Sequence, residues 1–188
     1  MALFCVLAVV IAIAMIEPQY HINVGHVARL MKNFGLKRLY FVKPRFDEME
    51  AVRYSMHGKD VLAAAKTITL DQLTKKFDIL IGTTAIAGTS KLNVLRETTS
   101  AERMAELIHE GHDKNYCILL GRESSGLTNK ELAMCDLAVL VDTKTKYRTM
   151  NIAHALAIML YEISRLKPQL HARKSKKTVV HASGREPS

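Results

Sequence analysis

Apolar residues fall into short runs along this chain, at 7–17, 38–43, 67–70, 77–83, 116–121 and 137–142. Most carry no alternating polar face, which is how strands buried on both sides of a parallel sheet read. Between them, at 23–34, 46–56, 59–66, 100–110, 129–135 and 151–165, apolar positions recur at helical spacing. Strands separated by helices predict an α/β domain with a largely parallel sheet covered on both faces. Ligands of such sheets collect at the carboxyl ends of strands, where loops and helix N-termini meet.

The first run needs a decision, because MALFCVLAVVIAIAMI is uncharged and Ala12-Ile13-Ala14 resembles a signal-peptidase site. It has no basic flank, falls short of a membrane span and runs directly into Glu17-Pro18, so we read it as the first strand. After Lys167-Pro168 the periodicity dissolves into a Lys/Ser/His-rich stretch. The expected organisation is one domain over 1–166 and a basic, disordered tail over 167–188.

Charge changes this picture less than its total implies. Lys+Arg number 27 and Asp+Glu 18, a net +9, but the tail holds six Lys/Arg and one acid. The remaining domain is only mildly basic, so RNA or DNA binding has to be argued from local sites rather than from net charge. Cys5, Cys117 and Cys135 are odd in number, without CxxC or Cys/His spacing; they read as reduced thiols in a cytoplasmic protein, two of them buried. The segment 82–91 lacks the GK[ST] of a phosphate loop and no GxGxxG follows a strand, which argues against a nucleotide hydrolase or an ordinary dehydrogenase. The eight histidines are scattered, so no metal site is expected.

Three segments at strand ends carry the candidate chemistry. The first is Asn23-x-Gly25-x-x-x-Arg29 followed by Lys32-Asn33-Phe34-Gly35, where Asn23 reads as a helix N-cap and Gly25 as a close-packing position. Taken alone it is a capped helix with a solvated arginine. The second is Leu120-Gly121-Arg122-Glu123-Ser124-Ser125-Gly126-Leu127, and the third Tyr147-Arg148-Thr149-Met150-Asn151-Ile152-Ala153-His154-Ala155.

In this order and separation the three resemble the motifs of the SPOUT class of RNA methyltransferases, in its SpoU/TrmH branch. The Glu17-Pro18 after the first strand and the Lys-Asn-Phe-Gly closing the first helix are most similar to the TrmJ type. The resemblance implies a parallel-sheet domain with a C-terminal trefoil knot, a topology that connection rules alone would have disfavoured. It also implies transfer of a methyl group from S-adenosylmethionine to a ribose 2′-hydroxyl, in the anticodon loop of tRNA, by a homodimer. The same chemistry on ribosomal RNA and a non-catalytic RNA-binding module remain the alternatives.

Carried over by motif, the donor site would comprise Thr83, Thr84, Ala85, Leu120, Gly121, Glu123, Val141, Arg148, Thr149 and Met150, with Gly121 admitting the donor to the backbone. The catalytic set would be Arg29, Asn23, Glu123 and Asn151. An arginine is a poor literal base, so Arg29 is assigned as orienter and electrostatic activator of the hydroxyl. RNA phosphate would be met by Arg29, Lys32, Arg53 and Arg148. Arg148 departs from the family, which usually has a small Ser there. Arg122 is expected to brace Glu123 or a neighbouring loop.

Overall fold

The computed structural model describes residues 9–85, 98–111 and 113–166. The first eight residues and the tail at 167–188, with the expectations placed on them, lie outside the described residues, as do residues 86–91 of the 82–91 segment.

Seven parallel strands form one sheet: β1 (Val10–Ile16), β2 (Arg38–Val42), β3 (Lys66–Thr67), β4 (Ile79–Thr84), β5 (Thr98–Ser100), β6 (Asn115–Leu120) and β7 (Leu137–Leu140), in the order β3-β2-β1-β6-β4-β7-β5. Among the described residues seven α-helices accompany them: α1 (His21–Asn33), α2 (Glu48–Ser55), α3 (Lys59–Ala63), α4 (Leu70–Lys76), α5 (Ala101–Glu110), α6 (Asn129–Ala133) and α7 (Ile152–Arg165). The α/β class and the buried parallel strands are as the pattern predicts.

Strand alternation splits the core in two. Ile11, Ile13 and Met15 of β1 face a layer built with Val27 and Met31 of α1, Met104 of α5 and Leu156 and Met159 of α7. Ala12, Ala14 and Ile16 face the other layer, with Leu73 of α4, Phe77, Leu127 and Cys135. Both faces are therefore covered, and the residues named for the donor site lie along the one edge where the strands end. Among the described residues no helix is long and apolar enough to cross a membrane.

Several expectations are corrected. The run at 67–70 is mostly not strand: only Lys66–Thr67 pairs with β2, and Thr69 caps α4, its hydroxyl accepting from the Gln72 N–H while the Gln72 side chain accepts from the Thr69 N–H. This reciprocal capping box ends the strand because its backbone donors are spent on the helix. The helix expected over 59–66 stops at Ala63, preceded by a 3₁₀ turn at Met56–Gly58. The helix expected over 46–56 starts at Glu48, where the Asp47 carboxylate accepts from Glu50 N–H. The edge strand β5 was not predicted. Asn23 is not an N-cap: α1 starts two residues earlier, with Tyr20 in the cap position, and Asn23 is buried in the first turn. Gly25 packs as expected, since a Cβ there would stand 2.5 Å from Tyr54 Cβ of α2.

Candidate active site

Strands β6, β4 and β7 are neighbours, so the segments leaving their carboxyl ends converge. They enclose a cavity of about 290 Å³. Its wall takes Thr83, Thr84 and Ala85 from β4, Leu120, Gly121 and Glu123 from the β6 exit, and Val141, Arg148, Thr149 and Met150 from the segment before α7. Every residue named as a donor contact thus lines one cavity. Ile152, Ala155 and Met159 of α7 add an apolar side; the first two stand in the third motif, but none of the three was named as a donor contact.

Two of these residues also serve the fold. The Thr83 hydroxyl donates to Leu119 O at 3.0 Å, so it serves the sheet. Gly121 is required by the loop itself: a Cβ would lie 2.2 Å from Gly126 C and 2.3 Å from Leu127 N. The loop folds back because Arg122 and Gly126 exchange backbone hydrogen bonds of 3.1 and 2.8 Å, with Gly126 at φ +68°.

Of the four residues named for catalysis, three are connected. Asn151 caps α7 by accepting from Ala153 N–H at 2.8 Å, and its amide donates to Asn23 Oδ1 at 2.9 Å. The Asn23 amide in turn donates to Glu123 Oε1 at 3.4 Å. Glu123 also accepts from the N–H groups of Gln19 and Tyr20, at 3.3 and 3.2 Å. A carboxylate from a distant loop thereby does what Tyr20 does not, and satisfies donors at the start of α1. Arg29 stands apart. It is exposed, about 9 Å farther along the helix axis than Asn23, and does not line the cavity.

Arg122 braces neighbouring loops and not Glu123. Its guanidinium meets Glu131 of α6 at 2.9 and 3.0 Å and Glu17 at 3.0 and 3.2 Å. The hydrogen bond from Arg122 is the main cause that lowers the Glu17 pKa. Burial pulls Glu131 upward, but hydrogen bonds from Arg122 and from Thr128 outweigh it and leave that carboxyl lowered too. Both carboxylates therefore stay charged well into the acid range.

The residues named for RNA divide. Arg148 is half-buried in the cavity wall. Lys32 and Arg53 share a shallow cleft with Met56, His57 and Lys59 on the α1–α3 surface, Lys32 paired with Asp60 and Arg53 with Glu50 at 2.9 Å. Cys117 and Cys135 are buried free thiols, and burial raises the Cys117 pKa, which removes it as a nucleophile. Among the described residues no three His, Cys, Asp or Glu side chains converge as metal ligands.

Comparison with known proteins agrees with this geometry. The model of the SpoU rRNA Methylase family matches residues 10–161. The tRNA (cytidine-2′-O-)-methyltransferase TrmJ of Sulfolobus acidocaldarius is 34% identical over 157 residues, covering 82% of this chain and 65% of its own. The enzyme of that name from Methanocaldococcus jannaschii is 36% identical over 157 residues, covering 82% and 67%. The chain thus spans about two thirds of the length of these curated relatives. Among solved structures, TrmJ from Z. mobilis superposes with a TM-score of 0.75 at 28% identity, over 85% of this chain and 71% of that one.

Proposed function

The chain belongs to the SpoU rRNA methylase family, and from that premise we propose that it is an S-adenosylmethionine-dependent methyltransferase acting on a ribose 2′-hydroxyl of tRNA, in the anticodon loop. The observation that carries this reading is the cavity itself, in which the second and third motif segments meet the end of β4, with the first motif tied to them through the Asn151–Asn23–Glu123 chain.

The residues fit the donor. Its neutral adenine and ribose need directional hydrogen bonds and an apolar slot more than charge, and the wall offers both: loop backbone at 121–126 and 148–150, and the side chains of Leu120, Leu127, Ile152 and Met159. When bound, the donor supplies an electrophilic methyl on a sulfonium. Asn151 and Glu123 fix Asn23, whose amide is held from both ends and orients what enters beside the cavity. Arg29 holds the phosphate next to the target ribose bidentately and lowers the energy of the developing alkoxide, while the hydroxyl proton passes to substrate phosphate or water.

Because Arg29 lies away from the cavity of its own chain, the reading includes a homodimer in which α1 of one subunit completes the site of the other. Exposed Ile22 on α1 and exposed Ile158 and Tyr161 on α7 support such an interface. It also includes the C-terminal trefoil knot, supported by β7 lying between two strands laid down before it, β4 and β5. The domain is taken as 1–166 with a basic tail, working in the cytoplasm. Lys32, Arg53 and Arg148 add phosphate contacts that position the RNA.

The test offers tRNA and ribosomal RNA transcripts in parallel with the donor and maps the modified nucleotide by mass spectrometry. A 2′-O-methyl in the anticodon loop of tRNA is the expected product. Methylation confined to ribosomal RNA would move the substrate, and no transfer with no donor binding would leave an RNA-binding module.

A further inference from the structure

We propose that Arg122 is a positioning residue that ties the wall of the donor cavity to the base of α1, so that the loop at 121–127 and the helix carrying Asn23 move as one piece. The proposal rests on the methyl-donor reading for its catalytic meaning, though not for its geometry. Arg122 and Glu123 are adjacent in sequence and hold the two ends of one segment, 17–20. Arg122 grips the Glu17 carboxylate through Nε and Nη2, at 3.2 and 3.0 Å, while Glu123 takes the N–H groups of Gln19 and Tyr20. The same guanidinium engages both Glu131 oxygens and, at 3.4 Å, the Gly126 carbonyl. One planar fork therefore joins the β1 exit, the cavity loop and α6.

Two further observations say that this tie holds the segment in place. Glu17 sits at φ +46°, a left-handed conformation unusual for a non-glycine residue. Such a conformation persists only where the surroundings over-determine it. Here they do so through the Arg122 pair and a 2.7 Å hydrogen bond from Glu17 N–H to Val42 O. The side chains of Arg122, Glu17 and Glu131 are only 16, 18 and 14% exposed, so solvent screens the pairs weakly. Lysine keeps the charge but cannot span two carboxylates with a fork, which makes Arg122→Lys the informative change.

Hydrogen exchange on the full chain tests the tie from both ends. Arg122→Lys, in the cavity loop, is expected to speed exchange at amides 19–25 by about tenfold, and Glu17→Gln, at the β1 exit, to speed exchange at amides 122–127 by a similar factor. Exchange in β2 and α5 should stay unchanged in both. Effects confined to each variant's own segment overturn the proposal, and if one variant does not fold the other still decides. Steady-state methylation by Arg122→Lys should show a raised donor KM together with a lowered kcat. A lower melting temperature with kcat and KM unchanged at 25 °C would reduce Arg122 to a structural residue. Failure of the wild type to bind S-adenosylmethionine would remove the methyl-donor reading instead, with the exchange pattern still deciding the tie.

Discussion

The cavity wall and the outer face of α1 are built to different degrees of completion. In the wall three polar side chains already have partners: Thr83 bonds Leu119, Glu123 collects three donors, and Arg122 is engaged on all its nitrogens. On α1, Arg29 is exposed and makes no ion pair within one chain among the described residues. A preorganised wall binds with little reorganisation, whereas a charge left facing water is stabilised there until something docks. On the proposed function, the difference assigns donor binding and methyl transfer to separable parts of the molecule, joined through Asn23.

The strongest way to break that separation is Arg29→Ala. Loss of one charged stabiliser of a developing oxyanion costs about a hundredfold to a thousandfold in rate, while donor affinity measured by calorimetry should hardly change. Gly121→Ala attacks the other region. Its Cβ would meet backbone at 2.2 Å, which a flexible side chain cannot relieve, so we expect about 1–3 kcal/mol of destabilisation by denaturant titration and loss of donor binding. Asn151→Ala strikes the junction: removal of the cap costs about 1 kcal/mol, and freeing Asn23 should slow transfer more than it weakens donor binding.

Acid should loosen the tie between the cavity loop and the base of α1. Glu17 and Glu131 have pKa values lowered from 4.5 in the folded protein, so the stability they contribute is present above pH 4.5 and is lost as pH falls through the folded values. Thermal melts between pH 7 and pH 3 should show that loss, reduced in Glu131→Gln. The smallest effect is expected from Lys32→Ala, at the rim of the α1–α3 cleft: RNA affinity falls modestly, with the salt slope reduced by about one, and donor binding is untouched.

How much of this was legible in the chain depends on whether a residue's partner is near in sequence. Most strands declared themselves because burial on both faces removes polar alternation, and the residues that line the cavity followed from the segments at their ends. Helix α4 went unseen although Thr69-Leu70-Asp71-Gln72 carries a capping box, because Ile68 and Leu70 read as a strand. Strand β5, Thr98–Ser100, has no apolar signature and is held by β7 alone. Asn23 looked like a cap because of its residue type; its real partners, Glu123 and Asn151, lie at least a hundred positions away. The same distance hid Glu17 from Arg122, and only the folded loop shows that Gly121 is small to admit Gly126 and Leu127.

The central claim is that one chain's loops suffice to hold the donor, while α1 supplies chemistry. It is tested most directly by titrating S-adenosylmethionine calorimetrically into the wild type and into Arg29→Ala. The account predicts saturable binding with matching dissociation constants for both. Absence of binding by the wild type at millimolar donor, or its loss in Arg29→Ala, would contradict it.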